Sequence, residues 1–196
     1  MEKSGLRTFP VVVDDRVIEV DVHTLLNGVE LDGTYPGKGP GDMLRQTVRL
    51  FCSYSHKDET LRNELETHLK LLQRLRLLET WHDRKIEAGE EWKQKIDDNL
   101  ERADIILLLV SVDFIASDYC YEKEMGRALE RHKKGEARVI PVIVRDVNLG
   151  SAPFAHLQVL PKDGKAVMLW KNRDSAWRNV SEEVEQVAEE MRKHKE

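Results

Sequence analysis

Residues 104–129 read DIILLLVSVDFIASDYCYEKEMGRAL, and this stretch decides the fold. Ile105 to Val110 is an unbroken apolar run, too short to span a membrane, and it reads as a strand buried on both faces of a sheet. A polar loop, Ser111 to Asp118, follows. Beyond it Tyr121, Met125, Ala128 and His132 fall near one stripe of a helix. Ser117 or Asp118 can cap that helix by accepting a bond from an amide two or three residues on. Glu124 therefore stands about two turns into a helix that starts at the carboxyl end of a central strand, the edge where ligands of open α/β sheets bind.

Strands and helices alternate on both sides of this stretch. Val48 to Tyr54 reads as a strand, and Ser55-His-Lys-Asp58 has the spacing of a capping box, with an acid three residues after a hydroxyl. Leu61, Leu65, Leu69 and Leu72 follow at helical spacing. Leu77 to His82 is a second strand, the loop Asp83 to Glu90 comes next, and Trp92, Ile96 and Leu100 mark the buried face of another helix. After the strand at 105–110, Ala137 to Val144 supplies a fourth and Ala166 to Trp170 a short fifth. Asp174 is expected to cap a last helix carrying Trp177, Val180, Val184, Val187 and Met191.

Five strands alternating with helices imply a mostly parallel sheet covered on both faces through right-handed crossovers. The commonest small arrangement is the flavodoxin-like α/β fold with strand order 2-1-3-4-5, whose switch point lies between the first and third strands. That order places Ser53-Tyr-Ser-His56 and Ser111 to Glu124 on opposite lips of one crevice.

Residues 1–45 differ in character. Phe9 to Val13 and Arg16 to Val22 read as two strands joined at Asp14-Asp15, a short N-terminal β-hairpin that is marginal by itself. Gly33 to Asp42 carries glycines and prolines that forbid regular structure, and no Gly-Lys-Ser/Thr closes it into a phosphate loop. The expected organisation is an extension over 1–32, a Gly/Pro linker over 33–45 and an α/β domain over 46–192.

With 196 residues there is room for one domain of about 100–200 residues and an appendage. A formal charge of −5 gives no general pull toward nucleic acid or anionic membranes. No stretch approaches the roughly 20 apolar residues of a membrane helix, and the acidic start lacks a secretion signal. The two cysteines, Cys52 and Cys120, sit where buried thiols are expected and fit a reducing compartment. The cytoplasm is the expected location. His56 and His82 have no partner at zinc-site spacing, so no metal site is expected. The run Arg131-His-Lys-Lys134 reads as the solvated end of a helix, where positive charge complements the dipole.

Three segments match a known family. Leu50-Phe-Cys-Ser-Tyr-Ser-His-Lys-Asp58 resembles its first box. Glu79-Thr-Trp-His-Asp83, with the loop to Gly89 and Trp92, is similar to the second, and Leu107-Leu-Leu-Val-Ser111 through Tyr119-Cys-Tyr-Glu-Lys-Glu-Met125 to the third. Over about residues 46–190 the chain resembles a bacterial Toll/interleukin-receptor (TIR) domain. Some members of that family only assemble as signalling adaptors, whereas others cleave the nicotinamide–ribose bond of NAD⁺.

The enzymatic members place one essential glutamate early in the helix after the third strand, and the resemblance puts it on Glu124, followed here by Met-Gly-Arg-Ala-Leu. A plant-type pattern, with the acid three residues after the Cys, would fall on Lys123. That offset leaves Glu122 as a rival. At about 100° per residue the two carboxylates point roughly 200° apart, so only one faces the crevice.

The reaction fits a lone carboxylate. Departure of nicotinamide leaves a sugar cation of the kind met in glycoside hydrolysis, which a fixed carboxylate stabilises, and the leaving group departs neutral from a charged pyridinium without a strong acid. NAD⁺ is then a substrate and no cofactor is implied. Around it, Ser53, Tyr54, Ser55 and Cys120 are candidates for substrate contact, Trp92 for stacking on a ring and Asp83 for the ribose. Helix or loop capping explains Ser55 and Asp83 as readily, and ordinary packing Trp92 and Cys120. The resemblance further implies homotypic self-association through the loop holding Arg84, Lys85, Ile86 and Gly89, and a sensor partner that docks through residues 1–45. A non-catalytic interaction module is the alternative. A phosphoacceptor receiver domain shares the sheet order but wants an acidic pair where Ser-Tyr-Ser-His stands.

Overall fold

The computed structural model describes residues 8–13, 16–21, 47–86 and 91–194. The chain divides into two units, Met1–Leu44 and Arg45–Glu196. In the first, β1 (Thr8–Val13) and β2 (Arg16–Asp21) pair antiparallel, with Thr8 opposite Asp21 and Val13 opposite Arg16, so a hairpin forms. The linker expected over 33–45, with its glycine-rich stretch, lies outside the described residues.

The second unit runs β3 (Val48–Ser53), α1 (Glu59–Arg74), β4 (Leu78–Trp81), α2 (Trp92–Arg102), β5 (Ile105–Val110) and the single turn α3 (Val112–Ile115). A π-helix, Tyr119–Met125, continues directly into α4 (Gly126–Lys133), followed by β6 (Arg138–Ile143) and α5 (Arg173–His194). All pairings in its sheet are parallel and the order is β4-β3-β5-β6. This is the expected order without its last member.

Among the described residues the fifth strand is reduced to one bridge, Val142 to Leu160. Leu160 donates to Pro141 O and accepts from Ile143 N. The amide that would carry the ladder on is that of Lys162, and it bonds Asn179 Oδ1 at 2.7 Å. Ala166 to Trp170, read from sequence as a strand, instead coils into a 3₁₀ turn over Val167–Leu169, with Met168 N donating to Val144 O. Its Met168 and Leu169 are exposed, which a central strand would not tolerate.

Side chains alternate across β3 and β4 because successive residues of a strand face opposite sides. Leu50, Cys52 and Leu78 join α1 and α5 on one face, with Trp177 filling the centre. Phe51 packs on the other face with Ile96 and Leu100 of α2, Phe114, and Ala128 of α4. β5 lies between the layers, every residue from Ile105 to Val110 being 0 % exposed, which is why its sequence shows no alternation. Trp177 Nε1 donates to Glu64 Oε2 at 2.8 Å and so joins α5 to α1.

Two of the three capping expectations need correction. Ser55 makes no side-chain cap, because its partner Asp58 is buried and accepts from Ser111 Oγ instead. Of the two caps read for the helix after β5, Ser117 is the one used: its hydroxyl accepts from Cys120 N at 3.3 Å, and Asp118 makes no side-chain cap. Asn172, not Asp174, serves the last helix, its Oδ1 accepting from Asp174 N at 3.0 Å.

Arg131, expected in solvent, is buried, and its Nη1 donates to the carbonyls of Leu100 and Ala103 at the end of α2. Those carbonyls lack helical partners. Arg131→Ala is expected to leave them unpaired and lower the unfolding free energy by about 2 kcal/mol, which the midpoint of urea unfolding reads. Among the described residues no helix is long and apolar enough to cross a membrane.

Candidate functional site

The carboxyl ends of β3, β4 and β5 and the start of the π-helix surround a cavity of about 280 Å³. β3 ends in Ser53, Tyr54 and Ser55, β4 leads to Asp83, and the chain beyond β5 brings Ser117, Tyr119, Cys120 and Glu124. This is the crevice where the strand order reverses. Its size falls just below that of most ligand pockets, which run about 300–1,000 Å³. It suits one end of a dinucleotide better than the whole.

Glu124 is 7 % exposed, yet it lines the cavity. Ser53 Oγ donates to its Oε2, across the gap between the first strand and the helix after the third. Burial pushes its carboxyl up to about 7, since a charged group loses water there; the bond from Ser53 opposes the rise, and the negative charges of Asp83 and Asp97 add to it. Glu122, two residues earlier, is exposed.

The π-winding explains the spacing that had no counterpart in the plant-type pattern. A π-helix closes i to i+5 and turns through less angle per residue than an α-helix. The extra residue between Cys120 and Glu124 is thus absorbed by the wider turn, and both side chains stay on the buried side with Met125. Such π segments inside helices gather at functional sites.

On the opposite wall Tyr54 donates its hydroxyl to Asp83 Oδ1 at 2.7 Å, and His56 Nε2 lies 3.4 Å from Asp83 Oδ2. Burial, then the bond to Asp83, raises the Tyr54 phenol, so it stays a donor at neutral pH. The Arg62 guanidinium sits 5.2 Å from the centre of the Tyr54 ring, a cation–π contact that braces Tyr54 from behind. Cys120 directs its thiol to Tyr54 O at 3.4 Å, and burial pushes that thiol up to about 11. It is a packing thiol, not a nucleophile. Cys52 and Cys120 are both free and buried.

The sequence-predicted residues divide accordingly. Ser53, Tyr54, Ser55, Asp83, Cys120 and Glu124 come together around one cavity. Arg84, Lys85 and Ile86 do not line it. Arg84 forks onto Glu59 at 2.8 and 2.9 Å, Lys85 donates to Thr80 O, and Ile86 packs against the core. Gly89 and the Trp92 side chain lie outside the described residues.

Sequence reasoning missed the brace beside the cavity. Asp58 takes Ser111 Oγ and faces Arg145, which also bonds Asp113, and Lys57 reaches Asp113 at 2.8 Å. Arg145 follows β6, far along the chain from the other members, and no local pattern marks it.

Ser53→Ala removes the donor that favours the ionised form of Glu124. A further rise in the Glu124 pKa is expected, read by carboxyl ¹³C NMR across a pH titration. A fall would show that the hydroxyl acts chiefly on the neutral acid.

The family model described as TIR domain matches residues 50–179. The chain belongs to the TIR domain family. The uncharacterized protein y4lF of Sinorhizobium fredii is 52 % identical to this TIR domain protein over 139 residues, which cover 71 % of this chain and 43 % of that protein. The chain therefore spans less than half the length of that relative. The TIR domain of the Toll-related receptor TRR-2 from Hydra magnipapillata aligns at 19 % identity with a TM-score of 0.49, over 69 % of this chain and 96 % of that one. The TIR domains of the activated Roq1 resistosome, which directly recognizes the pathogen effector XopQ, align at 20 % identity and a TM-score of 0.40, over 52 % of this chain and 60 % of that one. The α/β TIR fold, a parallel sheet flanked by helices, accounts for the architecture, and the segments quoted from the sequence lie within or adjoin the matched span.

Proposed function

We propose that this TIR domain hydrolyses NAD⁺ at the nicotinamide–ribosyl bond, with Glu124 as the catalytic residue. One observation carries the reading: a nearly buried carboxylate, held by Ser53, forms part of the wall of a cavity at the switch point of the sheet. A carboxylate pays a desolvation penalty there that a merely structural acid relieves by an ion pair. Glu124 has a hydroxyl as its partner instead.

In the reaction, the bond between ribose C1′ and the pyridinium nitrogen breaks and its electron pair leaves with neutral nicotinamide. The positive sugar is stabilised by ionised Glu124. Water then adds at C1′ and releases a proton, giving ADP-ribose; attack by a group of the substrate itself would give a cyclic product. Ser53 fixes one carboxylate oxygen, so the other is available to the sugar. Asp83, held by Tyr54 and His56, is placed to accept from ribose hydroxyls, and Ser55 and Trp92 complete the proposed contacts. The protein acts in the bacterial cytoplasm, in signalling or antiphage defence, when copies self-associate through the loop from Arg84 to Gly89 or when a sensor engages residues 1–45.

The test is to incubate purified protein with NAD⁺, with and without a crowding agent that forces assembly, and to follow nicotinamide release. Release is expected, greatest in the assembled state. If concentrated, assembled protein leaves NAD⁺ unchanged over hours, the domain is a non-catalytic interaction module.

A further inference from the structure

A second concavity lies on the same face of the sheet as the Glu124 cavity. It occupies the space between edge strand β4 and the C-terminal half of α2, has a volume of about 200 Å³, and shares only the Phe51 wall with the cleft above. The pleat sets Arg49 and Phe51 of β3 beside Glu79 and Trp81 of β4, and α2 contributes Asn99 and Arg102.

The Trp81 ring stacks on Phe51 at 5.4 Å and 16°, and it is only partly buried where it lines the groove, so part of the indole is open to a flat ring. Two guanidiniums flank it. Although the protein is acidic overall, and although Glu79 stands opposite Arg49 in the strand register, neither Arg49 nor Arg102 forms an ion pair among the described residues. Glu79 is the one carboxylate among the lining residues.

The end of a helix ordinarily repels anions through its unpaired carbonyls. Here Arg131 already satisfies those of Leu100 and Ala103. The negative end of α2 is thereby neutralised from inside, and the two surface arginines face the groove unopposed by it. Guanidinium pairs of this kind suit phosphate oxygens, and a partly open indole suits a flat heterocycle.

We propose that the groove between β4 and α2 binds a planar aromatic carrying one phosphate, of which a nucleoside monophosphate is the simplest case. The groove, about 200 Å³ and open to solvent, seats the base against Trp81 and leaves the sugar and phosphate at its rim beside the arginines, with no room for a whole dinucleotide. The site is separate from Glu124 and does not depend on the activity proposed for it.

The full chain is titrated with adenosine 5′-monophosphate while the Trp81 indole N–H is followed by NMR, assigned from Trp81→Phe protein. Adenosine and inorganic phosphate are run as separate arms. A saturable shift is expected with the nucleotide, with a Kd on the order of 1 mM or tighter, and weaker responses with either half alone. The double variant Arg49→Ala/Arg102→Ala, both exposed positions whose loss spares the fold, should weaken binding at least tenfold. Glu124→Gln should leave it unchanged, which separates this groove from the cleft. Absence of a Trp81 shift, a shift unaffected by removing both arginines, or one abolished by Glu124→Gln overturns the proposal.

Discussion

Glu124→Ala protein is expected to lose NAD⁺ consumption by at least about 10²–10³-fold while keeping its fold, the loss seen when one preorganised electrostatic group is removed from an active site. Circular dichroism and unfolding midpoints establish that the variant is folded, and nicotinamide release measures the activity. The neighbouring Glu122→Ala, at an exposed position, serves as the control and should match the parent. Equal consumption by Glu124→Ala and parent protein rejects the assignment. A further signature follows from the raised carboxyl. Only ionised Glu124 stabilises a positive sugar, so activity should climb as pH rises through about 7. A cationic ligand bound beside the carboxylate favours the ionised form and draws that midpoint lower in the complex, by linkage. A profile flat from pH 5.5 to 8.5 (about three units) would separate the rate from this group.

The second large effect is on stability. Glu124 has a folded pKa of about 7 against the 4.5 of an ordinary glutamate, so between those values the folded chain holds a proton that the unfolded chain has released. Its contribution to stability is fully present below about pH 4.5, falls as pH rises through this window and is gone above pH 7. At about 1.4 kcal/mol per unit the loss amounts to roughly 3 kcal/mol. Glu124→Gln keeps the shape and the bond from Ser53 but carries no charge to desolvate. It should therefore be more stable than the parent by up to about 3 kcal/mol at pH 8, with the gain vanishing near pH 4.5. Urea unfolding of both proteins at the two pH values reads the difference directly. A gain that is the same at both pH values would mean that Glu124 is not ionised at a cost in the native state. A site that is destabilising when empty and neutralised by mutation is the pattern expected where activity and stability compete.

The Glu124 cavity was legible in the chain to an unusual degree because its parts lie at the ends of strands whose apolar runs are easy to read. Val48 to Ser53 and Ile105 to Val110 identify themselves by burial, and the parallel order follows from their alternation with helices. Once the order is fixed, Ser53 and Glu124 must approach each other. Contacts made across long separations in sequence were not legible. Asp58 had the spacing of a local cap, and the fold used it instead to receive Ser111 and Arg145. Arg131 sat in a basic run that reads as solvated, and the end of α2 drew it inside. The fifth strand read over Ala166 to Trp170 failed because Met168 N bonds Val144 O from within a 3₁₀ turn, while the one parallel bridge beside β6 is made by Leu160.

The sequence by itself determined the layered α/β arrangement and the family, and it narrowed the acid facing the crevice to Glu124 or Glu122. Those properties rest on hydrophobic periodicity and motif spacing, which are local and survive without coordinates. Only the tertiary structure decided the choice of Glu124 over Glu122, the burial that raises its pKa, its bond to Ser53, the π-turn that brings it to bear, and the groove with its two arginines. Each of these depends on how much water a group has lost and which distant atom replaced it, and desolvation is a property of the packed chain alone.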